Sequence, residues 1–167
     1  MDQTRVSRRG ILVGALAATI VLGCKRSQES ADFSAMQSRG AHVMGVDQYT
    51  SAHVFEDLPD GGRVVLERDD AADTAAIAAI RGHMREIAAS FRAGDFTKPF
   101  QVHAQTVPGT AVMRDRRAAI SYVPVDRPRG GEVRITSRDS AAVDAIHAFL
   151  AFQREQHHAA GHEGMKP

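Results

Sequence analysis

The chain has 167 residues, 43% of them hydrophobic, a formal net charge of +1 and a single cysteine. Length and hydrophobic share suit one globular domain, and the near-neutral charge leaves no basic footprint for nucleic acid. With no Trp and only two Tyr, there are no aromatic platforms for stacked bases, and a lone Cys excludes intrachain disulfides, thiolate clusters and c-type haem attachment.

The N-terminus reads as an address. Arg5, Arg8 and Arg9 precede an apolar stretch over 11–22. At about a dozen residues it falls short of the ~20 that a membrane-spanning helix needs, which is the length of an export signal. Val21-Leu22-Gly23-Cys24 resembles the lipobox of bacterial lipoproteins. That resemblance implies cleavage before Cys24 and acylation of its sulfur. Ser7-Arg8-Arg9-Gly10-Ile11-Leu12 resembles the twin-arginine export motif, whose route carries folded proteins. Lys25 after the lipidated Cys leans towards the outer membrane, on its periplasmic face. The expected organisation is a signal over 1–23, a lipidated flexible tether over 24–40, one domain over 41–160 and a flexible tail over 161–167.

Two strand patterns, over 49–56 and 63–67, flank the turn signal Leu58-Pro59-Asp60-Gly61-Gly62. A helix follows, capped by Asp73 or Thr74 and stopped at Gly94. Ile77, Ile80, Met84, Ile87 and Phe91 form its apolar stripe at three- and four-residue spacing. Residues 95–113 read as a linker with a short edge strand over 100–104. Then the order repeats. A strand over 118–123, a turn over 126–131, a strand over 132–136 and a helix capped by Asp139 or Ser140 carry Val143, Ile146, Phe149, Leu150 and Gln153 on one side. Gly61-Gly62-Arg63-Val64-Val65-Leu66 matches Gly130-Gly131-Glu132-Val133-Arg134-Ile135, and Ala76-Ile77-Ala78-Ala79-Ile80 matches Ala142-Val143-Asp144-Ala145-Ile146. One hairpin with one helix cannot bury its apolar faces alone. The expected fold is therefore α+β: a duplicated β-β-α unit, with repeats over about 49–94 and 117–158. These would make a four-stranded, mostly antiparallel sheet with two helices packed on one face.

Met44-Gly45-Val46-Asp47-Gln48, His53-Val54-Phe55, Ile80-Arg81-Gly82-His83-Met84, Val102-His103, Pro108-Gly109 and Ala145-Ile146-His147-Ala148-Phe149-Leu150-Ala151-Phe152-Gln153 stand in this order. With Asp60-Gly61-Gly62 and the stretch from Gly130 to Ile135, they resemble a family of small, uncharacterised, often exported bacterial proteins. The resemblance spans about 44–157. Relatives usually carry two adjacent histidines where this chain has Ala52-His53. Some members bear the label aspartate carbamoyltransferase. This chain lacks the Ser-Thr-Arg-Thr loop and the His-Pro-x-Gln segment of that enzyme.

Eight histidines remain as the only chemistry. Neutral imidazole is the commonest metal ligand, and a Met thioether is soft enough for Cu(I). His53, His83, His103, Met113 and His147 are the expected ligand pool, with Met84 and His157 as further members; copper comes before zinc. A lone His beside an apolar stripe is more often a core residue bonded to backbone, so convergence decides the matter. Asp69, Asp70 and Asp73 suit the positive end of a helix dipole, and no Gly-x-Ser-x-Gly or His-Glu-x-x-His string is present. Three functions stay open. The first is a non-enzymatic, lipid-anchored periplasmic metal binder. The second is an envelope interaction module or homodimer using an open sheet face, and the third is a small enzyme.

Overall fold

The computed structural model describes residue 28, residues 30–43 and residues 50–159. The signal segment, Cys24, residues 44–49 and the tail lie outside the described residues. The chain forms two compact units, residues 1–34 and 35–167; the few described residues of the first are helical. No helix of the described residues is long and apolar enough to cross a membrane.

The fold is α+β. Strands β1 (Ser51–Leu58) and β2 (Gly61–Arg68) form one hairpin; β3 (Ile120–Arg127) and β4 (Gly130–Ser137) form the other. Pro59-Asp60 and Pro128-Arg129 are the two-residue turns, so both Gly-Gly pairs begin strands rather than sit in the turns. The sheet order is β1-β2-β4-β3, with every neighbouring pair antiparallel. At its centre Val64 pairs with Val133, its own counterpart in the repeat. Gly61 pairs with Thr136 and Glu67 with Gly130, so a pseudo-twofold axis passes through the valine pair.

Strand alternation puts His53, Phe55, Val64, Leu66, Val133, Ile135, Ile120 and Tyr122 on one face. Helices α2 (Thr74–Arg92) and α5 (Ser140–Gln156) cover that face. α2 packs chiefly over β3 and β4, and α5 over β1 and β2. Each helix therefore covers the hairpin of the opposite unit, and neither unit has a closed core without the other. Asp73 caps α2 by accepting from the Ala76 N–H at 3.1 Å. Asp139 caps α5 by accepting from Ala141 N at 3.0 Å and Ala142 N at 3.4 Å. Gly94, at φ +79°, follows the end of α2 where a left-handed residue is needed. Gly62 and Gly131 occupy equivalent places under the helices. A Cβ on Gly62 would stand 2.2 Å from Leu150 Cδ1, and one on Gly131 3.0 Å from Met84 Cγ.

Two expectations are corrected. Residues 30–43 form helix α1, which begins inside the flexible tether expected over 24–40 and runs on into the expected domain. Met36, Gln37 and Gly40 are buried, and Phe33, Met36, Gly40 and Val43 recur at helical spacing among polar neighbours. The expected edge strand over 100–104 is instead helix α3 (Thr97–His103). Asp95 accepts from the Thr97 N–H at 2.9 Å. Pro99 stands in the first turn, where its missing N–H is no loss. Ala104, at φ +53°, ends the helix.

Candidate functional site

One apolar cavity gathers four of the eight histidines. His53 reaches it from β1, His83 and Met84 from α2, His103 from α3, and His157 and Gln153 from the end of α5. Its inner volume is about 80 Å³. Phe55, Leu66, Ile87, Phe91 and Phe149 supply apolar walls. Among the described residues no hydroxyl, thiol or carboxylate side chain lines it.

His53 and His157 stack with ring centroids 5.2 Å apart and planes 20° apart. His103 meets His157 edge-on, also at 5.2 Å. Gln153 Oε1 lies 2.9 Å from His103 Nε2. An amide oxygen only accepts, so Nε2 carries the proton and Nδ1 keeps its lone pair. That Nδ1 is buried without a partner, as are His53 Nε2 and His157 Nδ1. Three sealed ring nitrogens of one cluster thus lack hydrogen bonds. Each such group costs about 1–3 kcal/mol, and buried polar groups as a rule find partners.

The environment keeps these rings neutral. Burial, then the nearby His83, lowers the His53 pKa to about 4. Burial, then the His53, His103 and His158 rings, lowers His157 to about 3. His83 falls to about 4 through burial and the Lys98 charge, against an opposing pull from Glu86. Burial also lowers His103; the Gln153 bond opposes this and Arg39 adds to it. Neutral imidazole is the ligating form.

The expected ligand pool is divided by the fold. His53, His83, His103, Met84 and His157 share the cavity. Met113 does not: it lies on α4 (Thr110–Asp115), fully buried in the general core. His147 does not either. Its Nε2 sits 3.0 Å from the Leu58 carbonyl and 2.9 Å from that of Gly61, so its N–H staples α5 to the β1–β2 turn. As the side chains stand, no three His, Cys, Asp or Glu groups of the described residues are placed to hold a metal ion. Asp73 is the α2 cap, whereas Asp70 accepts from the Ala72 N–H at 2.8 Å in the turn ahead of the helix.

Neither Lys98 nor the part played by Gln153 was foreseen from the residues alone. Lys98 lay in the stretch read as linker ahead of the expected strand, where helix α3 in fact begins. Gln153 appeared only as an apolar-stripe position, although a polar residue on a core stripe is itself a signal of a buried partner.

The opposite sheet face carries Val54 and Val65, with Val123 and Val125 exposed at 48% and 44%. An Arg63–Glu56 ion pair and the pairs Arg127–Glu132 at 3.0 Å and Arg127–Glu67 at 3.2 Å run across it. Its apolar surface is therefore interrupted by charge rather than contiguous. Compared with family models, curated proteins and solved structures, the chain finds no match in any of the three.

Proposed function

We propose that this is a non-enzymatic binding protein, anchored by a lipid on Cys24 at the periplasmic side of the cell envelope. Its ligand is a transition-metal ion, copper before zinc, held by His53, His103 and His157. The observation that carries the proposal is the set of three buried ring nitrogens without partners around one cavity. Size supports an ion over an organic molecule. About 80 Å³ admits an ion and a few waters, whereas organic ligand pockets run from about 300 Å³ upward.

Charge selects the ion. Among the described residues no carboxylate lines the cavity and its inner walls are apolar, so three neutral imidazoles supply no charge to offset that of the ion. Charging cost grows with the square of the charge, so a divalent ion costs roughly four times as much to seat as a monovalent one. Cu(I) therefore suits the site better than Zn(II), and the Met84 thioether in the same lining is a soft neighbour for it. Bringing the donors together requires the His53 and His157 rings to turn out of their stack. The Cβ–Cγ torsion of His is broad, so the rearrangement is soft. His83 borders the site as a further donor.

The test is anaerobic equilibrium dialysis of the soluble domain against Cu(I), and separately against Zn(II), followed by elemental analysis. One equivalent of copper is expected in the wild type. It should weaken at least tenfold in His157→Phe and His103→Phe, and stay unchanged in His147→Phe. Copper retention equal in all four proteins would overturn the assignment.

A further inference from the structure

A second feature adjoins the cavity. A groove of about 630 Å³ is lined by Ser38, Arg39, His42 and Val43 of α1 and by Lys98 and Gln101 of α3. Val43 and Lys98 line both the groove and the histidine cavity, so the groove is its mouth. The mouth is cationic. Arg39 donates from Nε to the Val102 carbonyl at 2.8 Å, and no carboxylate of the described residues forms an ion pair with it. Lys98 Nζ is held 2.7 Å from Glu86 Oε2, and Asp95 also lies within its electrostatic reach. The positive field reaches inward, because Lys98 borders the histidine cavity as well as the groove.

That field opposes a bare metal cation on its way in, and the apolar walls screen it poorly. The cluster suits an ion that the mouth repels. The conflict disappears if the ion arrives with negative charge attached. Resting on the copper assignment above, we propose that the mouth docks a small anionic thiolate complex of Cu(I), with its negative charge on Arg39 and Lys98. The ion then passes inward by ligand exchange. Copper–sulfur bonds break as bonds to the ring nitrogens of His53, His103 and His157 form. Copper stays Cu(I) throughout, and each departing thiolate leaves with its electron pair and takes a proton from water. No oxidant or reductant is needed. The groove volume fits a carrier of small-molecule size.

The experiment compares stopped-flow loading from two donors: the anionic Cu(I)–dimercaptosuccinate complex and cationic tetrakis(acetonitrile)copper(I). Wild-type loading from the anionic donor should slow steeply with added salt. Lys98→Gln should slow it about tenfold, within the usual range for electrostatic steering, and Lys98→Arg should restore it. Loading from the cationic donor should be no slower in Lys98→Gln than in the wild type. Circular dichroism of each variant confirms folding, and the wild-type salt dependence tests the idea without any variant. Equal anionic-donor rates for wild type and Lys98→Gln, or no salt dependence, would overturn the proposal while leaving the copper site standing. Failure of both donors to load the wild type would overturn the copper assignment itself.

Discussion

Acidification should destabilise the fold earlier than surface carboxylates would. In the unfolded chain each histidine takes a proton near pH 6.5. In the folded protein burial holds His53 and His83 to about 4 and His157 to about 3. Folded pKa values lie below unfolded ones, so the full stability is present above pH 6.5. It is lost as pH falls from there towards 4. Each fully shifted ring contributes about 1.4 kcal/mol per pH unit inside that window, or roughly 2 kcal/mol at pH 5. The rings share one cavity, so a proton on one makes the next harder to add and the losses fall short of a simple sum. A few kcal/mol is still a large part of the ~5–15 kcal/mol that holds a domain folded. Asp60, Glu86 and Asp139, held low by Arg134, Lys98 and Arg116, lose their contribution only below the ordinary carboxylate range. Urea unfolding followed by circular dichroism at pH 7.5, 6, 5 and 4.5 separates the two effects. The midpoint should fall steadily between pH 6.5 and 4.5, and His157→Phe should flatten that fall. A midpoint constant from pH 7.5 to 5, or the same slope in the variant, would refute the argument.

Other substitutions probe the frame of the site. Gly62→Ala puts a methyl 2.5 Å from the Glu56 carbonyl as well as against Leu150, and should cost about 1–3 kcal/mol in thermal unfolding. Gly131→Ala, which meets the flexible Met84 side chain, should cost less. His147→Ala leaves the Leu58 and Gly61 carbonyls without their donor and should cost about 1–3 kcal/mol, with copper retention unchanged in dialysis. Met36→Ala should cost about 2–5 kcal/mol in chemical unfolding; no effect would mean that α1 contributes nothing to the domain.

The strands, both long helices and their Asp caps were legible because each rests on a local rule. Period-two alternation, the three-and-four stripe and a short side chain at the N-cap need no partner to be recognised. The repeat was legible too, but which residues pair on its pseudo-axis was not. Pro99 misled, since a proline near a β-branched residue suits an edge strand as well as a first helical turn. The polar surroundings of Met36 hid α1. Convergence of the histidines was beyond sequence, because it depends on which hairpin each helix covers. His147 and His157 both lie along one side of the second helix. Sheet placement alone sends one to a turn carbonyl and the other to the cavity.

The most direct test is imidazole nitrogen NMR of the soluble domain, titrated anaerobically with one equivalent of diamagnetic Cu(I). The ring nitrogens of His53, His103 and His157 should shift together and saturate at one equivalent, while His147 and the exposed His42 stay in place. Shifts confined to surface histidines, or none at all in the three cavity rings, would contradict the assignment.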